Sequence, residues 1–178
     1  LRFDNKSSNA LTNISSIYFL KKDLENSELY VKKNLELYPK NFASFYNLAN
    51  IQLEQGQINN AIINFKKCIE LNKNFFNAYI NLSGAYQINS QIKNAISILE
   101  EAITIKRDPN TLIKIIYLSS TICLWDKYQE NIKLIDDLGI NGPPIYPFRA
   151  LALQDSPSQQ KIRSENWSKK FKKKNSTE

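Results

Sequence analysis

The chain has 178 residues, a formal net charge of +7, four glycines, six prolines, two cysteines and no histidine. No uninterrupted apolar stretch approaches the ~20 residues that span a bilayer, so it reads as soluble, and a metal centre or Cys/His nucleophile has no material here. Residues 161–178 carry +5 of the charge, through Lys161, Arg163, Lys169, Lys170, Lys172, Lys173 and Lys174 against Glu165 and Glu178, which reads as a solvated helix end rather than a nucleic-acid surface.

In chain order, Leu1-Arg2-Phe3-Asp4 reads as the last turn of a helix with no initiating Met, and residues 1–7 overlay the end of a repeat unit. A longer array is therefore expected upstream, and no secretory leader is visible. Three units of 34 residues follow, at 8–41, 42–75 and 76–109. Phe45 falls on Leu11 and Tyr79, Leu48 on Ile14 and Leu82, and Phe65 on Val31 and Leu99. Counting Ser8, Phe42 and Phe76 as position 1, large apolar residues at positions 4, 7, 24, 28 and 30 alternate with small ones at 8 and 20. That pattern predicts two antiparallel helices per unit and an all-α stack of such pairs. Polar turns, LEQGQINN in the second unit, separate the helices, and Pro39 and Pro109 are expected to punctuate the ends of second helices. Cys68 sits on the small-residue side of a second helix, and Cys123 is placed in a later first helix. Helices packed 8–10 Å apart would keep the two cysteines beyond the ~7 Å limit for a disulfide. Reduced thiols fit an intracellular, cytoplasmic location.

Residues 8–109 closely resemble the tetratricopeptide repeat, whose pattern is met best by Phe45, Leu48, Ala49, Ala61 and Phe65; Lys73 and Arg107 stand where Pro is usual, and Ser27 where Ala is. The resemblance implies a right-handed α-solenoid whose first helices line a concave face that binds extended peptide segments. Position 6 carries Asn13, Asn47 and Asn81, with Asn50 one turn further along. An amide offers two donors and an acceptor, so such a ladder can grip a peptide backbone; in an Asn-rich chain it also fits mere solvated polarity. Tetratricopeptide domains that hold acidic chaperone tails use cations at positions 2, 5 and 6. Here positions 2 and 5 are Asn9, Ala43, Asn77 and Thr12, Tyr46, Ile80, which argues against that ligand.

A fourth unit, 110–139, begins with Ile113 and Ile116 and then reads CLWDKYQENIKLIDDL, about two residues too long at the turn. Asn131 and Ile135 reach positions 20 and 24 only through that insertion, and Ile115 ends the asparagine ladder. Residues 140–178 follow as a Pro-rich linker and a helix. Gly142, Pro143, Pro144 and Pro147 exclude continuous helix over 140–148, and Ser156-Pro157 is expected to open a helix carrying Ile162, Trp167 and Phe171.

Cys123, Trp125 and Asp126, then Pro144, Pro147, Phe148, Ala150, Leu151, Leu153, Asp155, Pro157 and Gln160, resemble the exit from the repeats in bacterial SPINDLY-type proteins, relatives of the protein O-GlcNAc transferases. The same residues also fit a cap closing the last repeat. The resemblance implies that the chain is an acceptor-recognition region preceding a catalytic domain that uses a nucleotide sugar. No Gly-rich loop after a strand and no sheet-like alternation occur here, so this stretch is expected to be catalytically inert and to need no cofactor itself. A scaffold for protein complexes is the alternative.

Overall fold

The computed structural model describes residues 7–132, 139–140 and 156–174, with side chains as far as residue 169. The expectations for residues 1–6, for Ile135, for the Pro-rich run 141–155 and for the Phe171 side chain lie outside the described residues. Those described form nine α-helices and no strand: α1 (Ser8–Leu20), α2 (Leu24–Leu37), α3 (Phe42–Glu54), α4 (Ile58–Leu71), α5 (Phe76–Ile88), α6 (Ile92–Ile105), α7 (Pro109–Thr121), α8 (Trp125–Ile132) and α9 (Pro157–Lys174). Consecutive helices pair as in a tetratricopeptide solenoid, and the chain divides into two compact units, 1–98 and 99–178.

The starts of α2 and α3 are capped by side chains. Asp23 accepts from the Asn26 N–H at 3.1 Å, and Asn41 accepts from Ser44 N–H at 2.8 Å. Both satisfy a donor that the first turn leaves orphaned. Within each pair a three-residue turn follows the first helix, and its middle residue is left-handed: Lys22 at φ 62°, Gly56 at 75°, Ser90 at 57° and Cys123 at 55°. One such residue reverses the chain and lets the second helix fold back.

In the first unit the core is the set of positions that repeat. Leu11, Val31, Ala49, Ala61, Phe65, Leu82 and Ala95 are buried. Small residues at positions 8 and 20 let paired helices approach, and the Ser15–Ser27 pair does this with hydrogen bonds as well. Their hydroxyls lie 3.2 Å apart, and Ser27 Oγ donates to the Ser15 carbonyl at 2.9 Å. Serine at position 20 is thus accommodated by its own partner. Asn34, fully buried, stands where Cys68 and Ala102 stand in the next two repeats. Its Nδ2 donates to the Ser8 carbonyl, Thr12 Oγ1 and Ser44 Oγ at 3.0, 2.8 and 2.8 Å, tying α2 to both α1 and α3.

In the second unit Leu112 and Ile116 are packed by Ile103, Tyr128 and Ile132. Here the structure corrects the register expected from sequence. Pro109 does not end a second helix: α6 stops at Ile105, and Pro109 is the first residue of α7, behind the N-cap Asp108. Asp108 Oδ2 accepts from both the N–H and the hydroxyl of Thr111, each at 2.8 Å. Proline lacks the N–H that a first turn leaves unused, so this capped start wins. The step into the fourth pair is therefore 33 residues, and the α7–α8 turn, 122–124, carries no insertion. Tyr128, not Asn131, takes position 20; Ile115 takes position 7 and is buried, and Lys114 takes position 6. Cys123 lies in the turn and not in a first helix.

Helix α9 begins at Pro157 as expected, with the Ser156 carbonyl accepting from Gln160 N–H at 3.0 Å. Asn166 Nδ2 reaches the carbonyls of Gly139 and Ile140 at 3.0 and 3.1 Å. Arg163, counted above with the solvated basic end, is instead fully buried.

Candidate functional site

Positions 5, 6, 9, 12 and 13 of a first helix share one face by helical spacing. Where α1 meets α3, that face encloses a groove of about 240 Å³ lined by Ser16, Phe19 and Leu20 from α1 and by Tyr46, Asn47 and Asn50 from α3. Asn47 and Asn50 are half-buried there, Leu20 is 79% exposed, and Asn13 stands exposed on α1. The groove therefore gathers Asn47 and Asn50, whereas Asn13 and Asn81 lie outside its lining. Phe19, Leu20 and Tyr46 were not singled out from sequence. Their signal was the helical spacing of Phe19 and Leu20 from Ser16, the α1 equivalent of Asn50, and the place of Tyr46 beside Asn47.

The tyrosine is held by its neighbours. Its ring meets Phe75 edge-on, 5.0 Å between centroids at 85°, and lies 5.9 Å from Phe65, which is fully buried. Such packing fixes an amphipathic ring whose hydroxyl is engaged by Asn81.

The asparagines join successive repeats. Asn47 Nδ2 donates to Ser16 Oγ at 3.1 Å and to the Thr12 carbonyl at 3.4 Å. Ser16 itself donates to that same carbonyl at 3.0 Å, so its oxygen accepts from Asn47. Asn81 Nδ2 donates to Tyr46 Oη at 3.0 Å and to Asn50 Oδ1 at 2.8 Å. Position 6 thus clasps α3 to α1 and α5 to α3, and the clasp fixes which amide atoms remain for a ligand.

Among the described residues no charged side chain lines the groove. On its rim Lys22 pairs with Glu54 at 3.0 Å and lies 5.8 Å from the Phe19 ring centroid. Cys68 is buried away from this face, and burial alone pushes its thiol up to about 12; the thiolate that would react is suppressed. Both cysteines are free. Among the described residues no helix is long and apolar enough to cross a membrane.

Two models of the tetratricopeptide repeat match the chain, one over residues 42–75 and the other over 8–41 and 76–109, together more than half its length. The chain belongs to the tetratricopeptide-repeat proteins. Among solved structures it is similar to MamA, at 18% identity and a TM-score of 0.66 over 95% of this chain and 83% of that one. It is also similar to YrrB, described as a TPR protein with an unusual peptide-binding site, at 13% identity and a TM-score of 0.66 over 92% and 86%. The first TPR of Spaghetti (RPAP3), bound to the HSP90 peptide SRMEEVD, matches at 15% identity and a TM-score of 0.62 over 67% and 98%. At such identities these neighbours speak for the fold. No curated protein sequence matches significantly.

Proposed function

We propose that this chain is a protein-binding module that holds an extended segment of a partner protein along the first-helix face of its repeats, in a reducing compartment such as the cytoplasm. The observation that carries this reading is the α1–α3 groove, in which amide groups of Asn47 and Asn50 stand beside the apolar surface of Phe19, Leu20 and Tyr46. A site with apolar walls and a few placed polar groups is built to orient a ligand. An acidic tail of the kind in the HSP90 peptide is not the ligand proposed, because no cation lines the groove to pair its carboxylates.

The test is a photo-crosslinker, p-benzoylphenylalanine, replacing Leu20 in one sample and the exposed Lys33 of α2 in another, in the native host. Cross-links from residue 20 to one contiguous partner segment, displaced by a synthetic peptide of that sequence, are expected. Equal cross-linking from residue 33, or none from residue 20, would overturn the reading.

A finer assignment, acceptor recognition for a SPINDLY-like glycosyltransferase, draws support from the order of Cys123, Trp125 and Asp126 before the Pro-rich run. It expects a reading frame that continues beyond Glu178 into alternating strands and helices that bind a nucleotide sugar. It also expects Asn47→Ala with Asn81→Ala, in the full-length protein, to lower glycosylation of acceptor proteins. A stop codon soon after Glu178 removes that assignment and leaves the scaffold reading in place, whereas unchanged glycosylation removes the asparagines from acceptor recognition.

A further inference from the structure

Resting on the peptide-holding reading, we infer that the α1–α3 groove selects an uncharged extended segment bearing an apolar side chain, and that Asn81 sets this preference without touching the ligand.

The inference follows from hydrogen-bond directions. A carbonyl only accepts, and the Ser16 hydroxyl hydrogen is committed to the Thr12 carbonyl. Asn47 must therefore turn its NH2 toward α1, leaving Oδ1 as an acceptor at the groove. Asn50 is turned the other way. Its Oδ1 receives the Asn81 N–H, leaving its NH2 as a donor, while Tyr46 Oη also accepts from Asn81 and keeps its own hydrogen for donation. Among the described residues nothing else engages these groups. The groove then offers an acceptor on Asn47 and donors on Asn50 and Tyr46, which matches the N–H and C=O of a peptide backbone. Phe19, Leu20 and the Tyr46 ring offer apolar surface for one side chain. The rim charges of Lys22 and Glu54 neutralise each other. A carboxylate entering here would lose water and find no cation.

Asn81 is thus a positioning residue. Replacing it by aspartate substitutes two acceptors for the amide donor, so Asn50 must turn its NH2 toward α5 and Tyr46 must donate there. Both donors leave the groove by a change in the following repeat.

The experiment is a titration of the isotopically labelled 178-residue chain with three capped pentapeptides, followed by NMR. They are acetyl-Ser-Ala-Leu-Ala-Ser-amide, its central Leu-to-Glu analogue, and a version N-methylated at the leucine. The leucine peptide is expected to shift the side-chain amide signals of Asn47 and Asn50, and each analogue to bind about tenfold more weakly. Asn81→Asp is expected to weaken the leucine peptide about tenfold at an unchanged backbone spectrum, and Tyr46→Phe to weaken it several-fold should Asn81→Asp disturb folding. Equal binding of the three peptides, or full affinity in the folded Asn81→Asp chain or in Tyr46→Phe, would overturn the inference. No binding of the leucine peptide at millimolar concentration would also overturn it, yet persistent cross-links from residue 20 would then leave the broader reading standing.

Discussion

Asn34 places three hydrogen bonds where neighbouring repeats place a thiol and a methyl group. Truncation to Ala removes the shared donor from Ser8, Thr12 and Ser44, so Asn34→Ala is expected to destabilise the chain by about 1–3 kcal/mol in urea unfolding. Asp23 argues at the same scale for pH. Hydrogen bonds from the side chain and then the backbone of Asn26 hold its carboxyl below the ordinary 3.8. A depressed value means that its contribution is present above 3.8 and is lost as pH falls through the lowered value. Asp23→Asn should therefore flatten the pH dependence of Tm below 3.8, and an unchanged slope would contradict the assignment. The asparagine at position 6 was legible from spacing alone, but its orientation was not. Only the contacts of Asn47 with Ser16 and of Asn81 with Tyr46 and Asn50 reveal which amide atoms are already used, because a side-chain amide looks the same in sequence whichever way it is turned.

Among the elements, the helix pairs stand or fall by a few repeated positions. Phe65 is fully buried in α4 against Tyr46, so Phe65→Ala should cost about 3–5 kcal/mol. The left-handed turn residues make a subtler test. Ser90 adopts φ 57° where the preceding repeat has Gly56, and L-residues with a Cβ are strained in that region. Ser90→Gly is expected to raise stability by roughly 0.5–1 kcal/mol, and a loss of that size would refute the strain argument. The 34-residue period made α1 to α6 readable because first and second helices each repeat their own buried positions from unit to unit. It misplaced the fourth pair because Asp108-Pro109 can end one helix or begin the next. The choice was made by Thr111, whose N–H and hydroxyl both reach the Asp108 carboxylate. Its counterpart is the Asn41–Ser44 cap of the second unit, but Asp108 and Thr111 stand one residue short of where two 34-residue steps would put them, so the period alone missed it.

Across the whole molecule, +5 of the net charge of +7 falls in residues 161–178, whereas the α1–α3 groove has no charged lining among the described residues. The proposed function therefore rests on local amide and aromatic chemistry rather than on the global field. The competing apolar surface is on the second helices, where Leu29 and Ile63, 34 residues apart, are 60% and 52% exposed. The decisive measurement is a set of intermolecular nuclear Overhauser contacts between the 178-residue chain and the capped leucine pentapeptide. Contacts from the leucine methyl groups to the ring protons of Phe19 and Tyr46 are predicted; contacts to Leu29 and Ile63 instead would contradict the account.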